Sequence, residues 1–180
     1  MKKVVIISST PRKNGNSELL AESFAKGAKD AGHEVTIIKL RELNFSFCKG
    51  CFACQKTKRC VIKDDVASTL QPIANADIVV FATPVYYYAM SGQLKTFIDR
   101  LNPLYTMDHN FGDIYLLATA VDTNESTVDA IKKEIKGWCA CFDGTKLKDT
   151  LFIGGVTNPN DIKAEPNALE KSYNLGHKIK

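Results

Sequence analysis

The sequence predicts an α/β protein: a five-stranded parallel sheet between two layers of helices. Three observations predict it. Five short apolar runs rich in branched residues have strand length: Val4–Ile7, Val35–Leu40, Ile78–Ala82, Tyr115–Ala120 and Leu151–Ile153. Four of the five lack polar alternation, as strands covered on both faces do. Between them lie segments with the 3.6-residue period of amphipathic helices. Such alternation, with right-handed crossovers, gives a three-layer sandwich, and 2-1-3-4-5 is one of its common strand orders.

The elements follow in chain order. Leu20, Phe24, Ala28 and Ala31 line one face of the first helix, which Gly32 ends. Val66–Ala76 is the weakest helical segment, because Pro72 beyond its first turn kinks or shortens it; Asp65 reads as its N-cap. Leu94, Phe97, Ile98 and Leu101 form the stripe of the next helix, with Ser91 as cap and Asn102-Pro103 as stop. Val128, Ile131, Ile135, Trp138 and Phe142 repeat the pattern. Asn167-x-x-Glu170 reads as a capping box for a final helix reaching Leu175, with Gly176 as terminator.

The 180 residues fit a single domain, 1–180, with an apolar fraction of 44% and a charged fraction of 24%. The start, MKKVVIISST, is too short in apolar residues for a signal peptide, and no run approaches a membrane span, so a cytoplasmic location is expected. The net charge of +4 is not gathered into one run, which implies a solvated surface rather than a nucleic-acid or membrane partner. The three histidines, His33, His109 and His177, share no metal-ligand spacing and read as surface residues.

Cys48–Asp65 reads CKGCFACQKTKRCVIKDD, with Cys48, Cys51, Cys54 and Cys60 spaced C-x2-C-x2-C-x5-C among lysines and arginines. A reducing compartment turns such cysteines toward metal or redox use. Zinc sites pair C-x2-C elements across longer loops, whereas a compact run suits a cuboidal iron–sulfur cluster. Lys49, Lys56, Lys58 and Arg59 would stabilise thiolates or an anionic cluster. Three readings stay open: a [4Fe–4S] cluster, reduced structural or redox-sensitive thiols, and zinc. Cys139 and Cys141 read as packing residues.

In parallel sheets ligands sit beyond the carboxyl ends of the strands, here the loops after Ile7, Ala82 and Ala120. Ser8–Ser17 reads SSTPRKNGNS between a strand and a helix. Its small polar residues let backbone N–H groups and hydroxyls converge on an anion at the positive end of a helix. Thr10, Asn16 and Ser17 can donate to phosphate oxygens, and Arg12 adds charge. Neither G-x4-G-K-[ST] nor G-x-G-x-x-G is present, which argues against a nucleoside triphosphate or a Rossmann-bound dinucleotide. After the third strand, Thr83-Pro84-Val85-Tyr86-Tyr87-Tyr88 offers aromatic faces to a planar heterocycle.

These stretches carry a resemblance. Ser9–Ser17, STPRKNGNS, resembles the phosphate loop G-S-P-R-K-N-G-N-[ST] of the NAD(P)H-dependent FMN reductases, a flavodoxin-like family, with Ser9 at its usual glycine and Thr10 at its serine. Thr83–Tyr88 with Met90-Ser91-Gly92-Gln93-Leu94-Lys95 resembles the family's [ST]-P-x-Y loop and following helix. The likeness runs from the first strand to about Leu104. It implies a flavodoxin-like fold and bound FMN: Ser9, Thr10, Arg12, Asn14, Asn16 and Ser17 at the phosphate, Thr83–Tyr88 around the ring, and Ala120 on its other side. It implies a reduced nicotinamide, NADH or NADPH, as substrate. The acceptor would be a quinone, free flavin, nitro- or azo-aromatic, or a redox protein. No catalytic acid or base is assigned, because the hydride chemistry belongs to the cofactor. A homodimer or homotetramer is implied as well. The cysteine spacing looks like that of the family's iron–sulfur flavoprotein branch, although plainer members carry a similar run. A flavodoxin-type electron carrier and a thiol-based redox sensor are the alternatives; Arg12 and the net positive charge count against the former.

Overall fold

Five parallel strands and one short antiparallel strand form the central sheet of the computed structural model, which describes residues 1–180. In chain order the elements are β1 (Lys3–Ser8), α1 (Asn16–Asp30), β2 (Glu34–Lys39), α2 (Ala53–Thr57), α3 (Val66–Ala74), β3 (Ile78–Tyr86) and β4 (Ala89–Met90). They continue as α4 (Gly92–Arg100), β5 (Asp113–Thr119), α5 (Asp129–Cys139), β6 (Lys146–Ile153) and α6 (Ala168–His177). The parallel strands lie in the order β2-β1-β3-β5-β6, the predicted 2-1-3-4-5 once β4 is set aside as a spur on β3.

Because side chains alternate along a strand, each central strand serves two cores. Val5, Ile7, Val79, Phe81, Ile114 and Leu116 point to the layer of α3, α4 and α5. Val4, Ile6, Ile78, Val80, Tyr115 and Leu117 point to α1 and α6. This is why the runs contain no polar alternation.

Several ends differ from the sequence expectation. Gly32 does end α1, at φ 85°, with its N–H donating to Lys29 O and that of His33 to Ala28 O. Gly176, expected to stop the last helix, lies inside α6. A Cβ there would collide with the backbone of Phe24, and one at Gly27 with that of Tyr173, so the two glycines let α1 and α6 cross closely. Asn167 sits before α6 at φ 60° with no side-chain cap, so the capping box does not form. Asp65 does not cap α3 either; its carboxylate accepts from the Asn44 N–H instead. Pro72 lies inside α3, which ends two residues later at Ala74, short of the expected Ala76. Of the histidines, His33 and His109 are half-buried, and His109 stacks on Phe111 at 4.2 Å.

β3 runs through Thr83–Tyr86, where the sequence predicts a loop. Its pairing with β1 stops at Ala82, while β5 and then β4 continue beside it. Pro84 therefore lies where the β1 side of the strand is free, the kind of edge on which proline is tolerated.

Candidate functional site

A cleft opens where β1, β3, β5 and β6 end. Its floor is the β1–α1 loop, contributing Thr10, Arg12, Gly15, Asn16 and Ser17. One wall is Pro84, Val85 and Tyr86, the other Thr119, Ala120 and Val121. Val156, Thr157 and Pro159, from the loop after β6, close the end.

The floor has the chemistry of an anion seat. α1 begins at Asn16 behind Gly15 with no side-chain cap, so the N–H groups of its first turn lack intrahelical partners. Ser17 Oγ is buried without a hydrogen-bond partner. A Cβ on Gly15 would strike the Thr10 side chain, so the glycine keeps the turn open. Glu18, buried beneath this floor, is neutralised by Lys39 Nζ at 2.6 Å and Arg41 Nη2 at 3.1 Å. The hydrogen bond to Glu18, then that to Glu22, raises the Lys39 pKa.

The loop after β6 is tied to this floor as a strap. Arg12 Nη1 donates to Thr157 O at 2.6 Å, Asn16 Nδ2 donates to Asn158 O at 3.0 Å, and Asn16 Oδ1 accepts from Ile162 N at 3.1 Å. Asp161 receives the N–H groups of Asn158 and Thr157, which hold its carboxyl below the usual range. Sequence reasoning missed the strap; the signal available was the Gly154-Gly155 pair at the end of the last strand.

The expected residues separate into two groups. Thr10, Arg12, Asn16, Ser17, Pro84, Val85, Tyr86 and Ala120 line the cleft; Ser9, Asn14, Thr83, Tyr87 and Tyr88 do not. The Ser9 hydroxyl donates to Ala82 O and accepts from Ser91 Oγ at 3.0 Å, and the Thr83 hydroxyl accepts from Ser91 N. Both fasten the start of α4, where Ser91 Oγ accepts from Leu94 N as the expected cap. Asn14 is at φ 57°, its N–H donating to Glu18 Oε2.

Tyr87 and Tyr88, at φ 51° and 60°, are the two central residues of the hairpin joining β3 to β4. Such turns favour Asn-Gly, and left-handed backbone at two tyrosines stores strain. Tyr87 is fully exposed; the Tyr88 hydroxyl reaches Asp122 Oδ2 at 3.5 Å. The Asn124 N–H, then the Thr127 hydroxyl, hold the Asp122 carboxyl below its ordinary value.

The cysteine stretch forms a second region. Cys48, Cys51, Cys54 and Cys60 all line one cavity with Arg100 and Asn102, but it measures only about 20 Å³, room for roughly one water. Cys48 and Cys51 are exposed, Cys60 half-buried and Cys54 buried, its sulfur accepting from Asn102 Nδ2 at 3.2 Å. No three of these sulfurs converge as the ligands of one metal ion. As arranged, the cavity between the sulfurs would have to widen to hold a four-iron cuboid. Arg100 is fully buried and grips Asp64 with two bonds, Nη1 to Oδ2 at 2.6 Å and Nη2 to Oδ1 at 2.8 Å. The Arg100 guanidinium lowers the Asp64 pKa, and Asp64 raises that of Arg100. This pair was not foreseen from sequence. Elsewhere, burial pushes the Cys139 thiol up to about 11, an inert packing residue as expected; Cys141 is exposed.

The family model for NADPH-dependent FMN reductases matches residues 2–156. The chain belongs to that family. Membership makes it an NAD(P)H-dependent FMN reductase-like oxidoreductase. It is 37% identical to a Bacillus subtilis protein provisionally named the NAD(P)H-dependent FMN-containing oxidoreductase YwqN, over 96% of each chain. It is 30% identical to the iron-sulfur flavoprotein MJ1083 of Methanocaldococcus jannaschii, over 98% of this chain and 95% of that one. Among solved structures, the NAD(P)H:quinone oxidoreductase from Methanothermobacter marburgensis superposes with a TM-score of 0.77 at 18% identity, covering 99% of both chains; it shows the shared flavodoxin-like fold. No helix of the chain is long and apolar enough to cross a membrane.

Proposed function

We propose that this chain oxidises a reduced nicotinamide by means of FMN seated in the cleft and passes the electrons to a second acceptor. The observation that carries the reading is the buried, unpartnered Ser17 hydroxyl at the uncapped start of α1, a donor set matched to a dianionic monophosphate. When bound, FMN supplies the hydride-accepting ring. The protein's own part is placement. Thr10, Ser17 and the first-turn N–H groups hold the phosphate, and Arg12 adds charge at the rim. Pro84, Val85 and Tyr86 bound one side of the ring seat and Ala120 the other. Ser9, Asn14, Asn16 and Thr83 act from behind: Asn16 fixes the strap, while Ser9 and Thr83 fix α4. Exposed Tyr87 and Tyr88 stand beside the ring seat, where a nicotinamide or an aromatic acceptor would stack.

The acceptor belongs to the class of quinones, flavins, nitro- or azo-aromatics, or a redox protein. A homodimer or homotetramer covering Tyr87 is part of the same reading, checked by the solution mass. The [4Fe–4S] reading of Cys48, Cys51, Cys54 and Cys60 has the iron-sulfur flavoprotein relatives in its favour. The small cavity between them favours reduced thiols; iron and sulfide analysis of protein purified without oxygen separates the two readings. The test of function is anaerobic mixing of the FMN-loaded protein with NADH or NADPH. Bleaching of the flavin band is expected with at least one of them; a band unmoved by both ends the reductase reading.

A further inference from the structure

A carboxylate lies under the floor that is to receive a dianion. Glu18 stands in the first turn of α1 and is buried. An acidic side chain there ordinarily meets the positive helix start itself, and would compete with a phosphate for it. Its oxygens are occupied elsewhere. Oε1 accepts from Lys39 Nζ at 2.6 Å and from Arg41 Nη2 at 3.1 Å, one at the end of β2 and one just past it. Oε2 accepts from the Asn14 N–H at 3.0 Å. The carboxylate therefore ties together α1, the end of β2 and the loop that precedes α1.

The bond from Asn14 matters most, because of where that residue lies. Its backbone is left-handed, at φ 57°, a conformation that costs a non-glycine residue energy unless its surroundings hold it. It sits inside a turn closed by the Gly15 N–H, which donates to Arg12 O at 3.2 Å. That turn carries the donors of the cleft floor. On one side, Thr10 Oγ1 accepts from the Arg12 N–H at 3.2 Å, which leaves the Thr10 hydroxyl hydrogen for an anion. On the other, Gly15 leads into Asn16, Ser17 and the unpaired N–H groups of the first turn. Groups that converge on one ligand hold it well only when a further set of contacts fixes them. We propose that Glu18 is the positioning residue of the phosphate seat: anchored by Lys39 and Arg41, it holds the Asn14 N–H and so fixes the Arg12–Gly15 turn before the ligand arrives. The assignment rests on the phosphate reading of the cleft, and adds to it a side chain that acts through the loop rather than on the ligand. Removing the carboxylate should leave the chain folded, since Lys39 keeps Glu22 at 2.9 Å and Arg41 keeps Glu42 at 2.9 Å.

The experiment titrates the flavin-free full chain with FMN and, separately, with riboflavin, read by flavin fluorescence. Glu18→Ala should weaken FMN about tenfold and leave riboflavin unchanged. In the same flavin-free protein, hydrogen exchange at the Asn14 amide should quicken. Adding Asn14→Gly, which removes the penalty on left-handed backbone, should restore part of the lost FMN affinity; a carboxylate that merely supports the fold would show no such rescue. Should Glu18→Ala fail to fold, Glu18→Gln keeps the shape of the side chain without its charge. It carries the same comparison, with an expected loss of about threefold. Equal losses for the two flavins, an unchanged FMN affinity, or no rescue by Asn14→Gly overturns the assignment. A wild-type chain that binds FMN and riboflavin equally would instead remove the phosphate seat on which it rests.

Discussion

The β1–α1 loop is hung between a buried strand and a fifteen-residue helix, whereas the cysteine stretch holds only the five-residue α2. In the first, the backbone fixes the chemistry: a strand end, a glycine turn and an uncapped helix converge donors on one spot. In the second, geometry is borrowed. Arg100 and Asn102, some fifty residues along the chain from Ser46 and Cys54, set where the sulfurs lie. A site made by backbone can be read from neighbouring residues; one made by distant side chains cannot.

The largest test of that contrast is Arg100→Met. It leaves Asp64 without its partner and should cost about 3 kcal/mol in urea unfolding, with the cysteine stretch opening first. Because Arg100 depresses the Asp64 pKa, the pair contributes fully above the ordinary carboxylate value of 3.8 and is lost as pH falls through the lower folded value. The variant should therefore lose less stability on acidification than wild type. A pH-stability curve of unchanged shape would remove the pair from its anchoring role.

Arg12→Ala should weaken FMN by about 2 kcal/mol while barely changing riboflavin, read by fluorescence titration; equal losses would place the guanidinium away from the phosphate. Replacing Tyr87-Tyr88 by Asn-Gly relieves the hairpin and should raise stability by about 1 kcal/mol, while slowing flavin reduction. Higher stability with unaltered reduction would make the strain incidental. The smallest effect is expected of Ser17→Ala. Its hydroxyl has no partner in the fold, so stability should hold, while FMN affinity falls by about 1 kcal/mol.

The sheet was legible because Val4–Ile7 and Ile78–Ala82 are buried on both faces and so carry an unbroken apolar signal. The helix starts at Ser91 and the stop at Gly32 were legible because each acts within one turn. Apart from the capping box at Asn167, what failed depends on contacts distant along the chain. Gly176 has the look of a terminator and is a packing residue against Phe24. Pro84 has the look of a strand end, yet the strand continues along β5. The strap after β6 reaches Asn16 from 142 and 146 residues away, and the Gly154-Gly155 pair in GGVTNPN marks a turn without announcing its partner. Asp64 is one of two adjacent aspartates, and only the fold distinguishes the one facing Arg100.

The central claim is that a monophosphate sits at the start of α1, and paired titrations with FMN and riboflavin test it most directly. FMN should bind the wild-type protein at least about tenfold more tightly than riboflavin, with the preference shrinking in Ser17→Ala and Arg12→Ala. Equal affinity for the two flavins, unaltered in both variants, would contradict the account.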